Sequence, residues 1–293
     1  MKKIDIHMHC FKHRPLPLIG TENTIMVPDE VFALYDEMEV EHGILLPIVS
    51  PDCSTSVQGN EEVEEISQNS NGRLLWFCNI DPRNYSNSPD SDLSRMLKAY
   101  KARGALGVGE VVSNLPFDDP LMENLFFHCQ KQKMPVLFHI APERVGYYGI
   151  YDEVGLYRLE KELAKFPELM FIGHSQPFWA EISADVTKES RNTYPKGNVT
   201  PGRVVELMRK YPNLHGDLSA NSGYNAVKRD EAFGCSFIEE FQDRLFFGTD
   251  ICTAAQRIGL SAWLDERYAE GKISKDAYYK VSRGNAERLL IKK

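Results

Sequence analysis

The chain has 293 residues, 42% hydrophobic and 26% charged, with 34 Lys and Arg against 42 Asp and Glu, a net charge of -8. This is enough apolar chain for one large α/β barrel or two small domains, and the acidic balance argues against a polyanionic partner, so nucleic acid is not expected. No apolar run reaches the roughly 20 residues that span a bilayer. Asp5, His7 and His9 interrupt any signal-peptide core, and the six cysteines contain no Cys-x-x-Cys pair. The expectation is a cytoplasmic protein with reduced thiols and no membrane association.

Residues 3–9 read as a strand on which His7 and His9 share a face, because side chains alternate. Such a pair can chelate one cation, and it can equally be satisfied by backbone carbonyls or solvent. Val31, Leu34, Tyr35 and Met38 give a helical face beginning near Asp29, and Gly43 opens a strand over 44–49 in which Pro47 marks a bulge or an end. A strand over 74–80 stops at Asp81-Pro82, a helix carries Leu93, Met96, Leu97 and Tyr100, and a strand over 105–111 follows. Asp119 and Pro120 start the next helix as cap and first residue.

Strands over 135–140, 169–174, 213–218 and 244–250 alternate with helical segments bearing Leu159 and Leu163, then Leu207 and Met208, then Phe233, Phe237 and Phe241. Residues 175–202 show no clear period and read as a functional or disordered loop. Two more helical segments close the chain, the second opened by Ser274.

Eight strands each followed by helix imply a parallel sheet with right-handed crossovers. We expect a single α/β domain over residues 1–293, a (β/α)8 TIM barrel; a doubly wound sheet lacks support because no Gly-x-Gly-x-x-Gly turn follows the first strand. On a barrel, His7, His9, Glu110, His139, His174 and Asp250 all fall at the C-terminal strand ends, where such proteins carry their active sites. Six metal-capable groups at one mouth point to a divalent-ion site without thiolate ligands, suited first to zinc and next to Mn, Fe or Co. His13, His42, His128 and His215 fall elsewhere and read as structural or solvated.

These residues carry a resemblance. Asp5-Ile6-His7-Met8-His9, Gly109-Glu110, Ile172-Gly173-His174, Asp217-Leu218-Ser219 and Gly248-Thr249-Asp250 are similar to the motifs of the amidohydrolase superfamily, in its amidohydrolase-related branch. The resemblance implies a metal-dependent barrel enzyme of the metallo-dependent hydrolase type, acting on a small molecule. Many binuclear relatives have a carboxylated lysine where this chain has Glu110, and a glutamate fills that role in TatD-like nucleases. Glu110 is therefore expected either to bridge two ions or to hold a ligating histidine from behind.

The expected reaction is hydrolysis of an amide, ester or lactone. Water activated on one or two ions attacks the carbonyl, Asp250 moves the proton, and His174 serves as a second-site ligand or as a free imidazole that polarises the substrate. The alternative is a metal-dependent non-oxidative decarboxylase, which wants a cation in the mouth; Arg144 and Lys196 are its candidates. Trp179 and Asn221 are further candidates for substrate binding, with rim cover and a turn as their structural alternatives. A homo-oligomer is compatible with the sequence.

Overall fold

A computed structural model of the chain describes residues 1–291. Its strands are β1 Lys3–Met8, β2 Val40–Leu45, β3 Leu74–Trp76, β4 Val108–Val111, β5 Val136–Ala141, β6 Ile150–Tyr151, β7 Phe171–His174, β8 Leu214–Asp217 and β9 Leu245–Phe246. Between and after them run helices α1 Pro28–Glu37, α2 Asn60–Gln68, α3 Ser94–Ala102, α4 Pro120–Gln132, α5 Tyr157–Lys165, α6 Gln176–Ala180, α7 Arg203–Lys210, α8 Ala220–Lys228, α9 Glu231–Phe241, α10 Leu260–Ala269 and α11 Lys275–Tyr279. Wider π-type turns prolong α11 over Lys280–Gly284 and Ala286–Ile291.

All strand pairs are parallel, in the orders β1-β2-β3 and β4-β5-β7-β8-β9, with β6 paired to β5 beyond the barrel wall. Backbone hydrogen bonds outside the regular ladders close both gaps. Cys78 N–H donates to Gly107 O at 3.0 Å and Gly109 N–H to Cys78 O at 2.9 Å, while Ile6 N–H donates to Phe247 O at 3.1 Å and Asp250 N–H to His7 O at 2.8 Å. The result is the expected eight-stranded (β/α)8 barrel. Several regular strands are shorter than the apolar runs, as with Leu74–Trp76 against 74–80, and the second is displaced: it covers Val40–Leu45 rather than 44–49 and stops before Pro47, which has no N–H for the ladder. Gly43 lies inside it, where the Tyr35 hydroxyl crosses so closely that a Cβ would sit 2.2 Å from its oxygen.

Among the elements that escape the periodicity argument are helices α2 and α6. Helix α2 buries only Val63 and Ile66 as apolar side chains, with Asn60 and Glu64, too thin a stripe to stand out in sequence. Helix α6 occupies five residues of the aperiodic 175–202 stretch and opens with the Ser175 hydroxyl accepting from Phe178 N–H. Among the described residues no helix is long and apolar enough to cross a membrane.

The barrel interior explains where the site lies. Ile4, Ile6, Ile44, Phe77, Leu137, Ile172 and Phe246 fill its lower part, closed from below by Ala286 and Leu290. Two residues further along β5, β7 and β8, the same inward face carries His139, His174 and Asp217. An apolar layer is thus capped by a polar one, as alternation along each strand requires. On β1, strict alternation from Ile6 would turn His7 outward; the register irregularity between Asp5 and Met8 brings it back to the mouth, as bulges re-aim side chains.

Candidate active site

Two imidazoles set the geometry. His7 Nδ1–H donates to Asp217 Oδ2 at 2.7 Å and His9 Nδ1–H to the Leu46 carbonyl at 2.9 Å. With both Nδ1 atoms committed, the Nε2 lone pairs of the neutral rings face each other at 3.1 Å. Two acceptors at that distance repel, so the pair calls for a cation or a proton between them. Both rings are buried, so bulk water screens the pair little.

Two carboxylates complete the donor set, each offering one oxygen to this pair and the other to the opposite side of the mouth. Glu110 Oε2 lies 3.7 Å from His7 Nε2 and 3.6 Å from His9 Nε2, while Oε1 accepts from His139 Nδ1 at 2.8 Å and lies 3.9 Å from His174 Nε2. Asp250 Oδ1 lies 3.5 Å from His7 Nε2 and 3.7 Å from His9 Nε2, with Oδ2 3.5 Å from His174 Nε2. Ligands about 2.0–2.2 Å from one ion are separated by roughly these distances. The donor atoms of His7, His9 and Asp250, and those of His7, Glu110 and His174, lie within 4.8 Å of one another. The residues present therefore fit a divalent ion.

The electrostatics follow from burial and charge. Burial alone would raise the Glu110 and Asp250 carboxyls, but His7 with His139, and His7 with His174, hold them below the usual range, Glu110 well below it. Burial opposes charge on His7, yet Asp250, Glu110 and Asp217 raise its pKa well above normal. For His174, burial and His7 work against the proton; Asp217 and Asp250 outweigh them and push its pKa up to about 9. His139 moves the other way, because burial outweighs Glu110. Without an ion, protons on the histidines balance the two acids.

Backbone geometry aims these groups. Asp250 adopts the left-handed conformation, φ 50°, which is uncommon outside glycine and clusters at functional sites. Asp5 ties β1 to the end of β9: it accepts from His7 N–H and Thr249 N–H, each at 2.9 Å, and from the Tyr35 hydroxyl at 2.7 Å. Burial pushes the Asp5 carboxyl up to about 6. Gly248 lets the strand pass close behind the histidine support, since a Cβ there would sit 2.6 Å from Asp217 Oδ1.

Of the residues singled out in sequence, His7, His9, Glu110, His139, His174 and Asp250 come together at the mouth, with His139 meeting the others through Glu110. The remaining four do not. Trp179 is a correction: it is buried behind the site, where its indole N–H donates to the Asp217 carbonyl at 2.8 Å and its ring covers Gly216, so it supports β8 and lines neither cavity at the mouth. Arg144 and Lys196 are exposed on outer loops, and Asn221 is exposed on the first turn of α8; none of the three lines a cavity at the mouth. Asn225 donates to Pro195 O at 2.9 Å and so ties down the 175–202 loop. His128 contacts Ser94 at 2.7 Å, and His215 stacks on Phe246 inside the barrel, both away from the donors.

Asp217, Ser219, Tyr148 and Cys252 belong to the site and were not singled out as site residues. Asp217-Leu218-Ser219 carried a usable signal, because histidines that bind metal usually donate their other nitrogen to a carboxylate. Tyr148 had none: it sits in the β5–β6 connection with its ring 4.4 Å from that of His139. Cys252 has Sγ 3.8 Å from Asp250 Oδ1, and burial, then Asp250 and Glu110, hold its thiol protonated.

Two cavities open on the donors. The larger, about 340 Å³, is reached past His9, Glu110, Asp250 and Tyr148; the smaller, about 240 Å³, past His139, His174 and Asp250.

A family model described as amidohydrolase matches residues 4–291. No curated protein matches the chain significantly. Among solved structures, an uncharacterised TIM-barrel protein from Bordetella bronchiseptica superposes with a TM-score of 0.66 at 17% identity, covering 99% of this chain and 98% of that one. A probable 2-pyrone-4,6-dicarboxylic acid hydrolase from Acinetobacter baumannii with citric acid bound gives 0.59 at 15% identity, covering 99% of each chain. A 2,6-dihydroxybenzoate decarboxylase complexed with 2,6-dihydroxybenzoate gives 0.59 at 17% identity, covering 98% and 97%.

Proposed function

The chain belongs to the amidohydrolase family, and from that premise we propose that it is a metal-dependent hydrolase of a carbonyl-type small molecule, an amide, ester or lactone. The observation that carries the reading is the division of donors by Glu110 and Asp250. Each carboxylate turns one oxygen to His7 and His9 and the other toward His174. Two divalent ions would both find ligands in such a set, with His139 available to the second, and a shared carboxylate would offset their mutual repulsion.

A divalent ion bound there would supply Lewis acidity and a water acidic enough to react near neutral pH. Beside such an ion Asp250 would stay ionised, because a divalent positive charge favours the carboxylate. From the mouth it can take the proton of the attacking water and return it to the leaving group. Asp217 and Ser219 keep His7 and His174 in the tautomer that presents Nε2 inward.

Non-oxidative decarboxylation is the second reading, favoured by the likeness to a decarboxylase. Chelation and reconstitution distinguish them. Zinc-, manganese- and cobalt-loaded protein is offered neutral lactones, esters and anilides beside hydroxybenzoates, with acid release and carbon dioxide followed in parallel. Ion-dependent acid release alone supports the hydrolase; ion-dependent carbon dioxide alone replaces it with the lyase.

A further inference from the structure

We infer that the substrate is uncharged away from its reacting group, with an apolar body seated in the larger cavity. The inference rests on the hydrolase reading only for the group that meets the donors; the rest comes from the walls.

Pro15, Leu16, Leu18, Ile19 and Ile25, from the connection after β1, line the 340 Å³ space with apolar surface. Away from the donors its polar lining consists of Ser54, Thr55, Ser56 and Gln256 with one acid, Asp52. Among the described residues lining either cavity there is no lysine and no arginine. The acid at the outer edge, Asp52, is held by Arg83 at 3.2 Å, so that guanidinium is already committed, to Asp52 and also to Asp81.

A carboxylate on the far end of a ligand would lose water against these walls and gain no counter-charge. Neutral hydrogen-bonding groups fare better, because serine and threonine hydroxyls donate and accept alike. Leu16 and Ile19 are also exposed, at 66% and 69%, and an apolar ligand body beneath them would cover part of that surface.

Two hydroxamates test this without relying on turnover. Benzohydroxamate and 4-carboxybenzohydroxamate share the anchoring group and differ only in a distal charge. Calorimetric titration of the zinc-loaded protein should show the neutral compound binding about tenfold or more tightly. Leu18→Arg, with Thr55→Arg as a second placement should the first disturb the loop, should narrow or reverse that preference by strengthening the carboxylated compound. Equal or tighter binding of 4-carboxybenzohydroxamate to the wild type overturns the inference, and so does binding of neither compound at millimolar concentration. Either reaction class leaves this affinity ratio unchanged, so failure of the hydrolase reading would be seen separately, in the released product.

Discussion

His7 and Asp217 stand 210 positions apart in sequence and meet inside the barrel through a buried Nδ1–H···Oδ2 bond of 2.7 Å. The same Oδ2 accepts the Ser219 hydroxyl at 2.7 Å, and Ser219 Oγ in turn accepts His174 Nδ1–H at 3.0 Å. One carboxylate therefore sets the tautomers of two inward-facing histidines, which leaves both Nε2 atoms free for an ion.

Asp217→Asn removes the anion while keeping the shape. Such changes behind a ligand cost about 10–100-fold in metal affinity, and competition with a chelating dye should record a loss of that size with the circular dichroism spectrum unchanged. Wild-type affinity would dissociate Asp217 from the ion site.

Asp250→Asn keeps the left-handed corner, because asparagine tolerates positive φ, but it cannot take a proton. Turnover should fall on the order of 10²–10⁴-fold while much of the bound metal remains. Near wild-type kcat would remove Asp250 from proton transfer.

Glu110 presents its two oxygens to different histidines. If it holds two ions together, elemental analysis should find about two per wild-type chain and about one in Glu110→Gln, with activity lost. One ion per chain in both proteins would reduce Glu110 to a partner of His139.

The metal-free protein should also have a characteristic pH response. His174 has a folded pKa of about 9 against about 6.5 when unfolded. The folded state thus binds the extra proton, and the stabilisation is complete below pH 6.5 and lost as pH rises through 9. Its size is on the order of 3 kcal/mol, and His7 is shifted in the same direction. Thermal melts of chelator-treated protein should show Tm falling over that window, while the metal-loaded protein, whose histidines carry no such proton, should fall less. Parallel curves would contradict the assignment.

Much of this was legible in the chain itself. His7, His139, His174 and Asp250 end apolar runs, and strand ends on a barrel share one mouth, so spacing alone assembled the donors. The failures have separate physical causes. Trp179 reads as a pocket aromatic until one sees that its indole N–H is needed by the Asp217 carbonyl. Arg144 and Lys196 are cations on loops, and loop sequence does not encode direction. Tyr148 was invisible because the turn that brings it over His139 depends on β6, a two-residue strand. The inward turn of His7 depends on an irregularity of register that a period-two argument does not contain.

If the mouth of this barrel hydrolyses a carbonyl compound as proposed, the new oxygen in the product comes from solvent. Metal-loaded protein is given its best substrate from the panel in oxygen-18 water, and the products are weighed by mass spectrometry. Hydrolysis predicts one solvent oxygen in the acid formed, with the label vanishing alongside activity on chelation. Metal-dependent release of carbon dioxide, with no solvent oxygen in the organic product, would contradict it.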